Sequence, residues 1–267
     1  MQNSFIKKGA AKAVVNLAHA AGNTLLTGTG LAAGMLALGD RRNSIVENAK
    51  ASKDAADVFK KMVGQAEKDG IGFEPVDDLR NGYYDAIGKT IGFDPSWIPD
   101  VGMLAHELGH AKSHALKEKL LGEGGSLMEN LFLESLPDYL GSGAGYFGVP
   151  ITLAIGKRKL ANKLALGALL AKVPNLAEEA VASYHGQNML EDFGMGDISN
   201  AWAGFPSYVL EAAAPLAGVT TTNKLRDLSG KGLSKLLPKL DKLLAKNPKS
   251  KGLKFLVNIA AKASAAI

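Results

Sequence analysis

Charged side chains are absent from Ala13 to Gly39, a run of 27 residues between Lys12 and Asp40. As one helix this run would be about 40 Å long, enough to cross a bilayer core of ~30 Å. Asn16, His19, Asn23, Thr24, Thr27 and Thr29 interrupt its apolar character, and Gly22, Gly28 and Gly30 invite a break. Gly30 and Gly34 have the GxxxG spacing that lets helices pack closely in lipid. A buried or interfacial helix pair is the competing reading. A cleaved leader is disfavoured by the polar interruptions, although Ala18-His19-Ala20 resembles a cleavage tripeptide.

Downstream, the pattern changes several times. Residues 44–68 read as an amphipathic helix, with Val58, Phe59, Met62 and Val63 set among charges. From Gly70 to Pro99, Gly, Pro and Asp punctuate short runs. There, Lys89, Ile91 and Phe93 alternate with Thr90, Gly92 and Asp94, which predicts a strand ending at Pro95. That strand offers an edge with which an extended peptide can pair. Tyr139 to Gly156 is uncharged and rich in glycine, and Leu160 to Val173 is a second apolar helix, so the two predict a kinked helical hairpin. Asn200 to Asn223 is apolar and expected to be broken at Pro206 and Pro215. Beyond it, Leu233, Leu236, Leu237, Leu240, Leu243 and Leu244 recur at helical spacing among lysines. Such a basic amphipathic helix can lie on an anionic membrane surface or pack its leucines on the body of the protein.

Composition narrows this picture. Hydrophobic residues make up 46% and aromatics only 6%, which favours close-packed helices over a β-sandwich. With no cysteine, disulfides and thiolate-held metals are excluded. The net charge of +5 is concentrated in the tail, where eleven Lys/Arg and two Asp lie between Lys224 and Lys262. Nucleic acid is disfavoured as a partner, because this tail has one aromatic, Phe255, and no base-reading module. The expected fold is mainly α (α+β) in three regions: residues 1–69, 70–223 and a basic tail, 224–267.

His106-Glu107-Leu108-Gly109-His110 is an HExxH pentapeptide. Histidines four apart on a helix share a face, so both imidazoles can reach one ion, and Zn²⁺ suits them. Glu107 stands beside the first ligand, where its carboxylate can take a proton from activated water. Leu104, Ala105, Leu108 and Ala111 supply the apolar positions of a buried helix. Gly109 admits close approach of another segment. Pro99 and Asp100 are start residues, and Gly122 with Gly124-Gly125 ends the pattern. The third histidine of HExxHxxGxxH is absent; His114 follows four residues on and reads as a rim residue.

The segment Asn175 to Ser183 contains Glu178 and Glu179. With HExxH it resembles the gluzincin metallopeptidases, in particular the membrane-embedded prenyl-endopeptidase and heat-shock types. Those proteins pair HExxH with a downstream E-x-x-A-D helix across a hydrophobic hairpin. Glu179-Ala180-Val181-Ala182-Ser183 matches at Glu and Ala and carries Ser183 in place of Asp. The resemblance implies a helical zincin-like domain in which His106, His110 and Glu179 hold Zn²⁺, with Glu178 as the alternative ligand. It implies Glu107 as the catalytic base, and Tyr184, His185 and His114 are candidates to steady an oxyanion.

The expected function is a zinc-dependent endopeptidase acting on a protein or peptide. Its expected location is membrane-associated, or cytoplasmic if the apolar segments are buried within a helical domain. The alternative is a membrane-associating structural or delivery protein with an accessory or inactive zinc site.

Overall fold

The computed structural model describes residues 2–50, 54–76, 82–94, 99–122, 135–197 and 199–246, with isolated positions beyond. Side chains 1–12 and 39–50, residues 123–134 and most of the C-terminal segment lie outside the described residues. So do the expected strand end at Pro95 and the Gly124-Gly125 pair.

The fold is mainly α with one small sheet. Its elements are α1 (Gln2–Lys50), α2 (Ala55–Lys68), β1 (Gly72–Pro75), β2 (Tyr83–Asp85), β3 (Thr90–Phe93) and α3 (Val101–Leu121). There follow α4 (Leu136–Gly143), a π-helical turn (Ala144–Gly148), α5 (Val149–Ala154), α6 (Arg158–Ala171), α7 (Val173–Asp192) and α8 (Phe205–Lys246). Two compact units interleave along the chain. A hairpin unit comprises Met1–Leu31, Gly141–Leu170 and Ala213–Ile267; a sheet unit comprises Ala32–Leu140 and Ala171–Ala212.

The sheet unit is held by an apolar core. Val58, Phe59 and Met62 from α2, Ile91 from β3, Leu104 and Leu108 from α3 and Leu190 from α7 meet there. Each such large side chain contributes roughly 1.5–3 kcal/mol by leaving water. The sheet order is β1-β3-β2, with β1 parallel and β2 antiparallel to β3. β3 is therefore the central strand, and the edge expected there is not available for pairing. Ile91 is fully buried and Gly92 takes Tyr83 across it, which seats β3 in the middle. The edge next to α3 belongs to β2, and no second strand pairs with it among the described residues.

α3 and α7 pack most closely of all. A Cβ on Gly109 would collide with the backbone carbonyl of Ala182, and one on Gly186 would collide with that of Ala105. The two helices approach almost backbone to backbone. α3 starts where Asp100 accepts from the Met103 amide at 2.9 Å, and it ends at Gly122 with φ 75°. Both ends were legible in the sequence.

In the hairpin unit the core is smaller, with Ala20, Val149, Leu153, Ala161, Ala165 and Val219. The helical hairpin forms as expected, with a π-helical turn between α4 and α5 and with Gly145 and Gly148 of the first arm against Ala168 and Leu164 of the second. Two expected breaks do not occur. α1 continues through Gly22, Gly28 and Gly30, because glycine costs a helix only about 1 kcal/mol each. α8 continues through Pro215, which is buried against Gly145, where a Cβ would lie 2.7 Å from the proline ring; packing offsets the lost backbone bond. Gly30 has nothing within 4 Å of where its Cβ would be, so the GxxxG pair is not closed at that end. No helix among the described residues is long and apolar enough to cross a membrane.

Substituting Ala at Gly109 should destabilise the protein by about 1–3 kcal/mol in urea unfolding, as expected for overpacking against fixed backbone. The exposed Gly167 of α6 meets nothing within 4 Å. Gly167→Ala should stabilise by about 0.5–1 kcal/mol in the same measurement.

Candidate metal centre

The close approach of α3 and α7 decides which side chains face each other. His106 and His110 lie one turn apart on α3, with ring centroids 4.9 Å apart and planes at 89°. Glu179 projects from α7 between them. Its Oε2 is 3.2 Å from His106 Nε2 and 3.6 Å from His110 Nε2. One donor atom from each of the three residues lies within 4.8 Å of the others. Two imidazole nitrogens and one carboxylate oxygen are a zinc donor set, and bonds of about 2.0–2.1 Å to a tetrahedral ion put neighbouring donors roughly 3.3 Å apart. The residues fit the ion.

The outer imidazole nitrogens are also engaged. Ser183 Oγ is 3.2 Å from His106 Nδ1, and Glu178 Oε1 is 3.5 Å from His110 Nδ1. A ligating Nε2 requires the proton on Nδ1, which these oxygens can accept; such partners fix the ring and raise its basicity. Ser183, fully buried, stands at the position where the resembled motif has Asp, and it meets His106. Glu178 is drawn aside by Lys117 at 2.7 Å and accepts from Ser113 Oγ at 3.2 Å. The two adjacent glutamates, equivalent in sequence, thus differ in place: Glu179 faces both Nε2 atoms and Glu178 backs His110.

The electrostatics favour a cation. Burial lowers the His110 pKa, but hydrogen bonds to Glu178 and Glu179 and the charge of Glu107 outweigh it and hold the group up at about 10. Burial raises Glu178, yet His110 and Lys117 bring it down to about 2. Glu179 is likewise raised by burial and brought down to about 2 by His106 and His110. An imidazolium proton sits where a metal ion would carry the same sign of charge.

Glu107 is buried, and Gly82 makes room for it: a Cβ there would lie 3.0 Å from Glu107 Cγ and 2.7 Å from Met103 Sδ. Two cavities are lined by this residue. One, of about 260 Å³, is lined by His106 and Glu107 with Met35, Leu38, Asn200 and Tyr208. The other, of about 450 Å³, is lined by Glu107, His110 and Glu179 with Tyr83, Tyr84 and Tyr208. Lys172, buried, ties the start of α7 to Asp138 at 2.9 Å and Glu211 at 3.0 Å. Burial lowers its pKa, and the two carboxylates more than restore it.

Of the oxyanion candidates, His114 is buried rather than at a rim, 3.8 Å from Glu118, and it lines the larger cavity. Tyr184 is 57% exposed and pairs with the ring of His185, and neither lines either cavity. Tyr208 lines both and had no signal in the sequence, since it comes from the first turn of α8, some 100 residues after HExxH. The chain matches no protein-family model, no curated protein and no solved structure.

Near neutral pH His110, held up at about 10, carries a proton, while Glu178 and Glu179, brought down to about 2, are ionised. A metal must displace that proton. Zinc affinity should therefore rise with pH by up to about tenfold per unit, and levelling off near pH 10 in competition titrations is the expected end point. At pH 7, Glu179→Gln should abolish measurable binding, whereas Ser183→Ala should weaken it about 10–100-fold.

Proposed function

We propose that the protein is a zinc-dependent endopeptidase. The observation that carries this reading is the convergence of His106, His110 and Glu179 within 4.8 Å, with the buried Glu107 lining the same cavities as these residues. In this reading the three side chains hold Zn²⁺ and leave one position open. Zinc bound there supplies a Lewis acid that polarises a carbonyl and lowers the pKa of water toward ~7.

The remaining work falls to the chain itself. Glu107 receives the proton lost by the attacking water and passes it to the leaving amine. Ser183 and Glu178 hold the two imidazoles in the tautomer that turns Nε2 inward. Tyr208, which lines both cavities, is our candidate donor to an oxygen gaining charge. The unpaired edge of β2 lies against α3 beside Gly82 and offers backbone groups to an extended peptide. Two cavities sharing Glu107 in their walls suit a chain that continues past the cleaved bond, as an endopeptidase requires.

With casein as substrate, Glu107→Gln should lower kcat about 10²–10⁴-fold while bound zinc, measured by atomic emission, stays at the wild-type level. Equal turnover by the two proteins, or turnover that survives chelation, rules the reading out.

A further inference from the structure

In the hairpin unit α1 is inside out. Asn16, His19, Ala20, Asn23 and Thr27 are buried, at helical positions i, i+3, i+4, i+7 and i+11. The opposite face shows Val14 at 64%, Leu17 at 60% and Leu25 at 66% exposure. A helix whose outer face meets water has the reverse arrangement. Polar groups gathered inward with apolar groups outward are what a lipid environment selects.

The hairpin of the same unit repeats the pattern. Phe147, Ile151, Ile155 and Leu166 are about half exposed or more, while α6 turns its alanines Ala161, Ala165 and Ala168 inward. Small residues bring the helices close: a Cβ on Gly218 would collide with Thr27 Oγ1, and Gly145 meets Pro215 and Ala168. Packing of this kind joins helices where water provides no drive. In α8, Leu228, Leu236 and Leu243 also face outward. Within the basic amphipathic segment Leu236 and Leu243 are therefore open to solvent, while Leu237, Leu240 and Leu244 are partly buried.

Charge identifies the apolar partner. Where α5 turns into α6, Lys157, Lys159 and Lys163 line an open cavity of about 760 Å³, together with Arg158, which is paired with Asp227 at 2.8 Å. They adjoin Ile155 and Leu160, both exposed. Basic residues at the border of an apolar face are complementary to anionic headgroups above acyl chains. Among the described residues no helix is able to cross a bilayer, so contact is with one leaflet.

We infer that the hairpin unit docks on an anionic lipid bilayer through the outer face of α1 and the α5–α6 hairpin, with the Lys157–Lys163 corner at the headgroups. This surface is independent of the metal centre.

The test is flotation of the full chain with phosphatidylcholine vesicles and with mixed phosphatidylcholine–phosphatidylglycerol vesicles. Wild type, Glu107→Gln and Leu120→Asn, the last on the sheet unit, should float with the mixed vesicles. A Leu17→Asn/Leu25→Asn/Ile151→Asn variant should lose at least about tenfold in partitioning, since each removes an apolar side chain from lipid. A Lys157→Glu/Lys159→Glu/Lys163→Glu variant should lose the preference for the anionic vesicles. Circular dichroism should match wild type for the apolar, basic and tryptophan variants, because Leu17, Leu25, Leu120, Ile151 and Ile155 are each at least 60% exposed and Lys157, Lys159 and Lys163 are exposed as well. As a direct reading of insertion, Ile155→Trp emission should shift to the blue on mixed vesicles. Wild type that stays in the soluble fraction, an apolar variant that floats like wild type, or an unshifted emission overturns the inference. So does a wild-type dimer that the apolar substitutions dissociate, since a second copy would then cover this face.

Discussion

Everything at the centre depends on how near two helix backbones come. Gly109 on α3 faces the carbonyl of Ala182 on α7, and Gly186 on α7 faces that of Ala105 on α3. No side chain separates the axes at those points. A carboxylate on α7 has a short reach, and Glu179 meets both imidazoles because the helices are this close. One extra methyl group at the crossing would move an ångström-scale gap into a set of contacts of 3.2–3.6 Å. Packing geometry, more than any single hydrogen bond, sets the donor set.

The same closeness gathers charge that must be compensated. Glu107, Glu178 and Glu179 are all within the reach of His110, and burial alone would neutralise such groups. Lys117, Ser113 and Ser183 supply partners from outside, so that each carboxylate and imidazole has a defined neighbour. Lys172 repeats the solution at the N-terminal end of α7, where a buried ammonium joins three segments of the sheet unit. A buried ionic cluster of this kind contributes little net stability but fixes one arrangement over others.

Much of this was legible in the sequence, and the remainder has physical reasons. The HExxH helix, its Asp100 cap, its Gly122 end and the close-approach role of Gly109 all follow from local chemistry. So does the hairpin between α3 and α7. Glu178 and Glu179 were not separable, because neighbours on a helix differ by about 100° in direction and only the partner helix decides which one faces in. Tyr208 escaped because it is brought by tertiary packing alone. The central place of β3 depends on pairing between segments some 18 residues apart, since Gly72 aligns with Thr90. The unbroken courses of α1 and α8 show packing overriding intrinsic propensity at Gly22, Gly28, Gly30 and Pro215. The inward stripe of α1 was visible as interruptions of an apolar run, but their alignment on one side is a property of the folded unit.

The glycines at the crossing also bear on descent. Histidines and glutamates of the cluster can be exchanged so long as their charges leave together. Gly109 and Gly186 have no such freedom, because what they accommodate is main chain. Distant kin of this chain should therefore share glycine on the HExxH helix and glycine seven residues after Glu179 more faithfully than His106, His110 and Glu179 themselves. Kinship would be read from the spacing of missing side chains.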